Sequence, residues 1–166
     1  MRLITPSRVI ALSFTNKTNE TNLIKDSIIE AAQLDHIQPV LGVDLWDLIE
    51  SEWDTNGDSS GLSADNLVLF NKLEIPLAFF VKHELIPDMS INTTGAGLQV
   101  ITTEQSSPAT DKQRGDLQDV ALKHANTLLD EIIRWIELPA NLPNYPKYNS
   151  ANNAGGTITE NGGIIF

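Results

Sequence analysis

The chain contains no cysteine. That absence excludes a disulfide scaffold, a thiolate metal site and a cysteine nucleophile together. Basic residues are scarce: 11 Lys and Arg stand against 22 Asp and Glu, for a formal net charge of −11 and a pI near 4.5. The cations are scattered without a cluster, which argues against a protein that binds by neutralising nucleic-acid phosphates. The same acidity suits a surface along which DNA slides without sticking, because like charges repel at short range. No apolar run approaches a membrane span, and "LITPSRVIALSF" after Arg2 is broken by Pro6 and polar residues, so no signal peptide is expected. A soluble protein made inside the cell follows, in which the sequons at Asn16, Asn19 and Asn92 are accidental. Catalytic signatures are missing too. There is no GxSxG, no phosphate-binding glycine loop, no SxxK and no HExxH spacing among His36, His83 and His124.

What is present reads as one mainly α domain, a bundle of about five helices with a small β-hairpin or loop projection and an extended C-terminal arm. Thr5 before Pro6 caps a short helix running through Phe14. A second helix is expected from Thr21 to about Gln38, with Leu23, Ile24, Ile28, Ala31 and Ala32 as its apolar stripe, stopping just before Pro39. "VDLWDLIESEW" forms a third, and the turn-rich "DTNGDSSGLS" breaks it. Ser63 and Asp65 start a fourth, which Pro76 should kink. "GLQVIT" alternates like a strand, placing a hairpin at about 91–103 around Gly95 and Gly97. Ser107 and Pro108 cap a long fifth helix with Leu117, Val120, Ala121, His124, Leu128, Ile132, Trp135 and Ile136 on its inward stripe. The helical domain is thus 1–138, with the projection at about 91–103, and the arm is 139–166.

The arm combines a proline-rich stretch, "PANLPNYPKY", expected to run extended, with "NSANNAGG" and an apolar ending, "TITENGGIIF". Ile164, Ile165 and Phe166 would each gain roughly 2 kcal/mol by burial, and the linker before them forms no core of its own. Fully extended, residues 139–163 span up to about 80 Å, enough to reach a neighbouring subunit.

Several motifs invite sharper readings. Arg114, Gly115 and Asp116 spell an integrin-type tripeptide, but they fall in the first turns of the fifth helix, where an exposed tight loop does not fit. Gly115 costs that helix about 1 kcal/mol relative to alanine, which suggests a close backbone contact or a bend. Asp54, Asn56, Asp58 and Asp65 have the spacing of a calcium loop, yet Ser59 stands where the turn glycine belongs and an aspartate replaces the closing glutamate. A solvated turn is the better account. His124 reads as a hydrogen-bonded core residue. The acids at Glu50, Glu52, Asp130 and Glu131 read as polar faces of amphipathic helices. No catalytic, cofactor-binding or metal-ligating residue is nominated, and no cofactor is expected.

The order of these pieces resembles the head-to-tail connector (adaptor) proteins of tailed phages, especially those infecting Bacteroidetes. The resemblance runs from about residue 5 to 138 and rests on two blocks. One is Ala32, Gln33, Ile37, Pro39, Leu41, Gly42 and Leu45; the other is Gly95, Gly97, Val100, Ser107, Pro108 and Ala109. It implies a non-enzymatic virion protein at the neck: a homo-oligomeric ring of about twelve copies below the portal protein. Genomic DNA would pass through its lumen without sequence-specific binding, and the next neck or tail protein would dock on it, with no membrane involved. Docking is expected at Ile158, Ile164, Ile165 and Phe166 of the arm and at Leu98 and Val100 of the projection. The alternatives are another neck or tail-completion protein, or a small helical calcium-binding or regulatory domain.

Overall fold

A computed structural model describes residues 2–14, 21–56, 58–87, 89, 91–94, 97–100 and 110–149, with the backbone only at 54–56 and in the two strands. Within them the chain is mainly helical, in the order α1 (Pro6–Ser13), α2 (Asp26–Ala32), α3 (Gln38–Leu41), α4 (Val43–Asn56), α5 (Ala64–Leu85), β1 (Ile91–Thr94), β2 (Gly97–Val100) and α6 (Asp111–Ile136). A π-helical turn, Gln33–Ile37, joins α2 to α3 without a break, so the described residues make five helical rods and one hairpin.

The rods start where capping chemistry directs. The Thr5 hydroxyl accepts from the Arg8 N–H, and Pro6 at the first helical position gives up a donor that would have been unpaired anyway. Ser63 caps α5 in the same way, and Glu52 reaches over from α4 to accept from both the Ser63 N–H and the Asn66 side-chain amide at 2.9 Å. That carboxylate sits where the α5 dipole is positive. The α6 cap is Thr110, which forms a reciprocal capping box with Gln113; the expected cap, Ser107 with Pro108, lies outside the described residues.

The second rod departs most from expectation. It begins with a 3₁₀ turn at Thr21–Leu23, turns α-helical only at Asp26, and runs through Pro39 to Leu41. The widened π turn immediately before Pro39 gives the ring space that the Asp35 carbonyl would occupy in a regular α-helix. The rod ends at Gly42, whose φ of 80° and ψ of 153° lie where a side chain is disfavoured. Gly42 donates to Gln38 and its own carbonyl accepts from Trp46, so one residue closes α3 and opens α4. Gln33, only 2% exposed, accepts from the Leu3 N–H at 2.6 Å and pins the N-terminal segment. Ala32, Ile37, Leu41 and Leu45 are all buried around it, so this sequence block is a folding corner.

The core is wrapped around α5. Leu69, Phe70, Leu73, Leu77, Phe80 and Val81 are buried on several sides of that helix, and it remains one element through Pro76. Arg8 of α1 donates through Nε and Nη2 to Oε2 of Glu74, at 3.0 and 2.9 Å. The His36 ring stacks on Phe80 with centroids 4.1 Å apart. Antiparallel α6 buries Ala121, Ala125, Leu129, Ile132 and Ile136. Leu117 and Val120, expected on that stripe, are half exposed at 53% and 50% because the buried arc is rotated from them onto Ala121 and Ala125.

Two further expectations are revised. Residues 139–149 do not run extended: they fold back through a 3₁₀ turn, Leu142–Asn144, and bury Tyr145 and Tyr148 against the bundle. Arg114, Gly115 and Asp116 lie within α6, but a Cβ built on Gly115 meets nothing within 4 Å, so no close backbone approach accounts for that glycine.

Two glycines should therefore respond oppositely to alanine. Gly115→Ala should raise stability by up to about 1 kcal/mol, read as a rise of about 2–4 °C in Tm. Gly42→Ala should lower stability by about 1–3 kcal/mol, since alanine there must hold a disfavoured backbone conformation. Thermal melts of the two variants would test both signs.

Candidate functional site

The α5–α6 pair carries the surface features that packing leaves unused. Four contacts, read along α5, set the antiparallel register. Lys72 Nζ lies 4.6 Å above the Trp135 ring, Pro76 faces Leu128 and Ile132, Phe79 meets the His124 ring edge-on at 5.4 Å, and His83 Nδ1 donates to the Gln118 carbonyl at 3.1 Å. Two apolar grooves flank this seam. The first, of about 350 Å³, is lined by Lys72, Ile75, Pro76, Leu128, Ile132 and Trp135, with Glu131 at its edge. The second, of about 270 Å³, lies where Leu12 and Phe14 of the α1 end approach Phe79, Leu117 and Val120. Both have a mostly apolar lining suited to docked side chains.

Lys82 stands at the second groove. Its Nζ donates to the Ser13 carbonyl at 2.8 Å, filling an acceptor that the end of α1 leaves open, and rests 5.0 Å above the Phe14 ring. Burial pushes its pKa below the usual lysine value. His124 is exposed on α6, not within the core as expected, because the helix turns Ala121 and Ala125 inward on either side of it. His36 is partly buried, with Nε2 3.3 Å from a Glu84 carboxylate oxygen. The histidines thus serve three separate helix contacts.

The calcium-loop spacing is not a loop. Asp54 and Asn56 belong to the helical backbone of α4, which extends three residues past Trp53, and the Asp58 carboxylate caps the following turn by accepting from the Ser60 N–H. Hydrogen bonds from the Ser60 side chain and, to a smaller extent, from its backbone N–H hold the Asp58 pKa below the usual carboxylate value. Among the described residues no three His, Asp or Glu side chains gather to hold a metal, and no helix is long and apolar enough to cross a membrane.

Of the expected docking residues, Leu98 and Val100 lie on β2. The antiparallel register pairs Ile91 with Val100 and Thr93 with Leu98, so these four positions share one face of the ribbon. Ile158, Ile164, Ile165 and Phe166 lie outside the described residues, as do 101–109. The chain reaches them from a defined anchor. The Tyr145 hydroxyl donates to the Asp65 carbonyl at the start of α5, its ring meets Trp135 at 5.7 Å, and the Tyr148 hydroxyl donates to Glu137. The hairpin therefore follows the C-terminal end of α5, and the tail departs beside its N-terminal end. The grooves were missed in the sequence because α6 has too many apolar residues for one face; Leu117, Val120 and Trp135 form a second arc beside the buried one.

The chain matches a family described as a family of unknown function, DUF6712, over residues 37–158, and it belongs to that family. The match starts inside the π-turn corner and continues past Tyr145 and Tyr148, so it takes in α4, α5, α6 and the tail anchor. No curated protein and no solved structure matches the chain.

The Tyr145 anchor makes a measurable prediction. Burial, with a smaller contribution from the nearby Asp65 charge, pushes this phenol up to about 12. The folded state then keeps its proton where the unfolded chain, titrating near 10, has lost it. The stability it contributes should be complete below pH 10 and fall as pH rises from about 10 to 12. Tyr145→Phe should flatten that part of the stability profile and cost about 0.5–1.5 kcal/mol at neutral pH through the lost hydrogen bond.

Proposed function

We propose that this chain is a structural subunit of the ring that joins the head of a tailed phage to its tail. Copies related by rotation, about twelve of them, would sit below the portal protein, pass the genome through a shared lumen and carry the next neck or tail component. The role is assembly, with no catalytic residue and no cofactor.

The observation that carries this reading is the two-ended layout of the α5–α6 pair. Twenty-two residues of α5 make a rod roughly 33 Å long. A hairpin follows one end of it and a tail leaves from the other, so each subunit can present separate surfaces upward and downward. A layer stacked between two other layers needs that arrangement. The resemblance to connector proteins over residues 5–138 supports the same reading. The net charge of −11 fits a lumen that weakens phosphate contacts. Two candidate ligands of the calcium-binding alternative, Asp54 and Asn56, stand in helical backbone, which favours the assembly reading.

Imaging of virions with the chain labelled should place it in the neck, in a ring with an acid-rich bore. A label elsewhere in the particle, or a bore lined mainly by Lys and Arg, would overturn the reading. In the same system, deletion of residues 157–166 should leave the subunit folded by circular dichroism while reducing its incorporation into particles. Loss of folding would instead show that the segment packs within its own domain.

A further inference from the structure

The ring reading leaves open how neighbouring copies hold each other, and the inference that follows rests on that reading. We infer that the groove lined by Ile75, Pro76, Leu128 and Trp135 receives the apolar C-terminal segment, Ile164–Phe166, of an adjacent copy. Subunits so joined, each giving a tail and taking one, form the head-to-tail contact from which a closed ring is built.

Four observations favour this occupant. First, the groove is apolar and unfilled: Ile75 is 41% exposed, and its volume of about 350 Å³ suits a few side chains. Second, Pro76 in the groove wall has no N–H, so the Lys72 carbonyl one turn earlier lacks its α-helical donor. An extended peptide backbone lying along the groove brings N–H groups that can bond there, as in strand-like peptide recognition. Third, charge selects the guest. Residues 150–166 carry a single charged side chain, Glu160, so nearly all of the net side-chain charge of −11 resides in the body of the chain. Two such bodies repel, whereas this nearly neutral segment can approach another copy at little electrostatic cost.

The fourth is reach. The described chain ends at Asn149, just after Tyr145 packs on Trp135, so the tail sets out from the margin of its own groove. Residues 150–163 can extend about 46 Å, far more than a return to that groove requires and enough to cross to a neighbour.

The absence of native cysteine permits a direct test. Full-length chains carrying Ile75→Cys alone and Ile165→Cys alone are mixed under assembling conditions and oxidised, and the native mass of the same sample is measured. A disulfide-linked heterodimer is expected, at several-fold higher yield than when Leu117→Cys, in the second groove, replaces Ile75→Cys. A chain carrying both cysteines should give a ladder of linked multimers. Cross-linking confined to single chains, or equal yields from the two grooves, would overturn the inference. An oligomer without heterodimer overturns the groove assignment alone; neither oligomer nor heterodimer overturns the ring reading with it. Should Ile75→Cys melt below the unmodified chain, Leu128→Cys serves at the opposite wall with the same expected outcomes.

Discussion

A helix that is apolar on several sides cannot stand at a surface, and α5 is such a helix. Leu69, Phe70, Leu73, Leu77, Phe80 and Val81 demand neighbours around its axis, and α1, the second rod, α4 and α6 are arranged to supply them. Burial itself is non-directional, so it does not say at which level each neighbour stops. Polar and ring contacts do that: Asp65 holds Tyr145, Lys72 covers Trp135, Glu74 takes Arg8, Phe80 stacks on His36 and His83 reaches Gln118. Spaced along one rod, these contacts fix the height of α1, the π turn, α6 and the tail.

Much of this was legible before any coordinates. Thr5 with Pro6, Ser63 with Asp65, and the spacing of Ile132 and Ile136 announce helices whose starts and inner faces the structure contains. What stayed hidden follows from effects that operate across the chain. Pro39 reads as a stop, because sequence rules assume a regular α-helix and not the widened turn that admits it. The three prolines between Pro139 and Pro146 read as extended, because nothing nearby in sequence shows that Trp135 and Asp65 offer Tyr145 a seat. His124 reads as core because periodicity gives a face but not its width. The docking residues on the hairpin were legible only as positions, and those of the arm lie beyond the described residues.

The proposed role follows from the division of labour among these parts. The corner built from Gln33, Pro39, Leu41 and Gly42 and the wrapped α5 use their chemistry inwardly, on folding. The α6 arc with Leu117 and Val120 and the two grooves face outward. A body settled by its own core and marked by uncovered apolar seams has the character of an assembly part.

One consequence concerns mechanical load. The tail is fastened to the bundle by the tyrosine pair before it leaves, and the foremost fastening point is the first turn of the central rod. Tension arriving along the tail would therefore be resisted in shear by ring packing at Trp135 and the Tyr148–Glu137 hydrogen bond, and delivered axially into α5, sparing the hairpin end. Load entering at the tyrosine pair would thus travel through the helix on which the core is built.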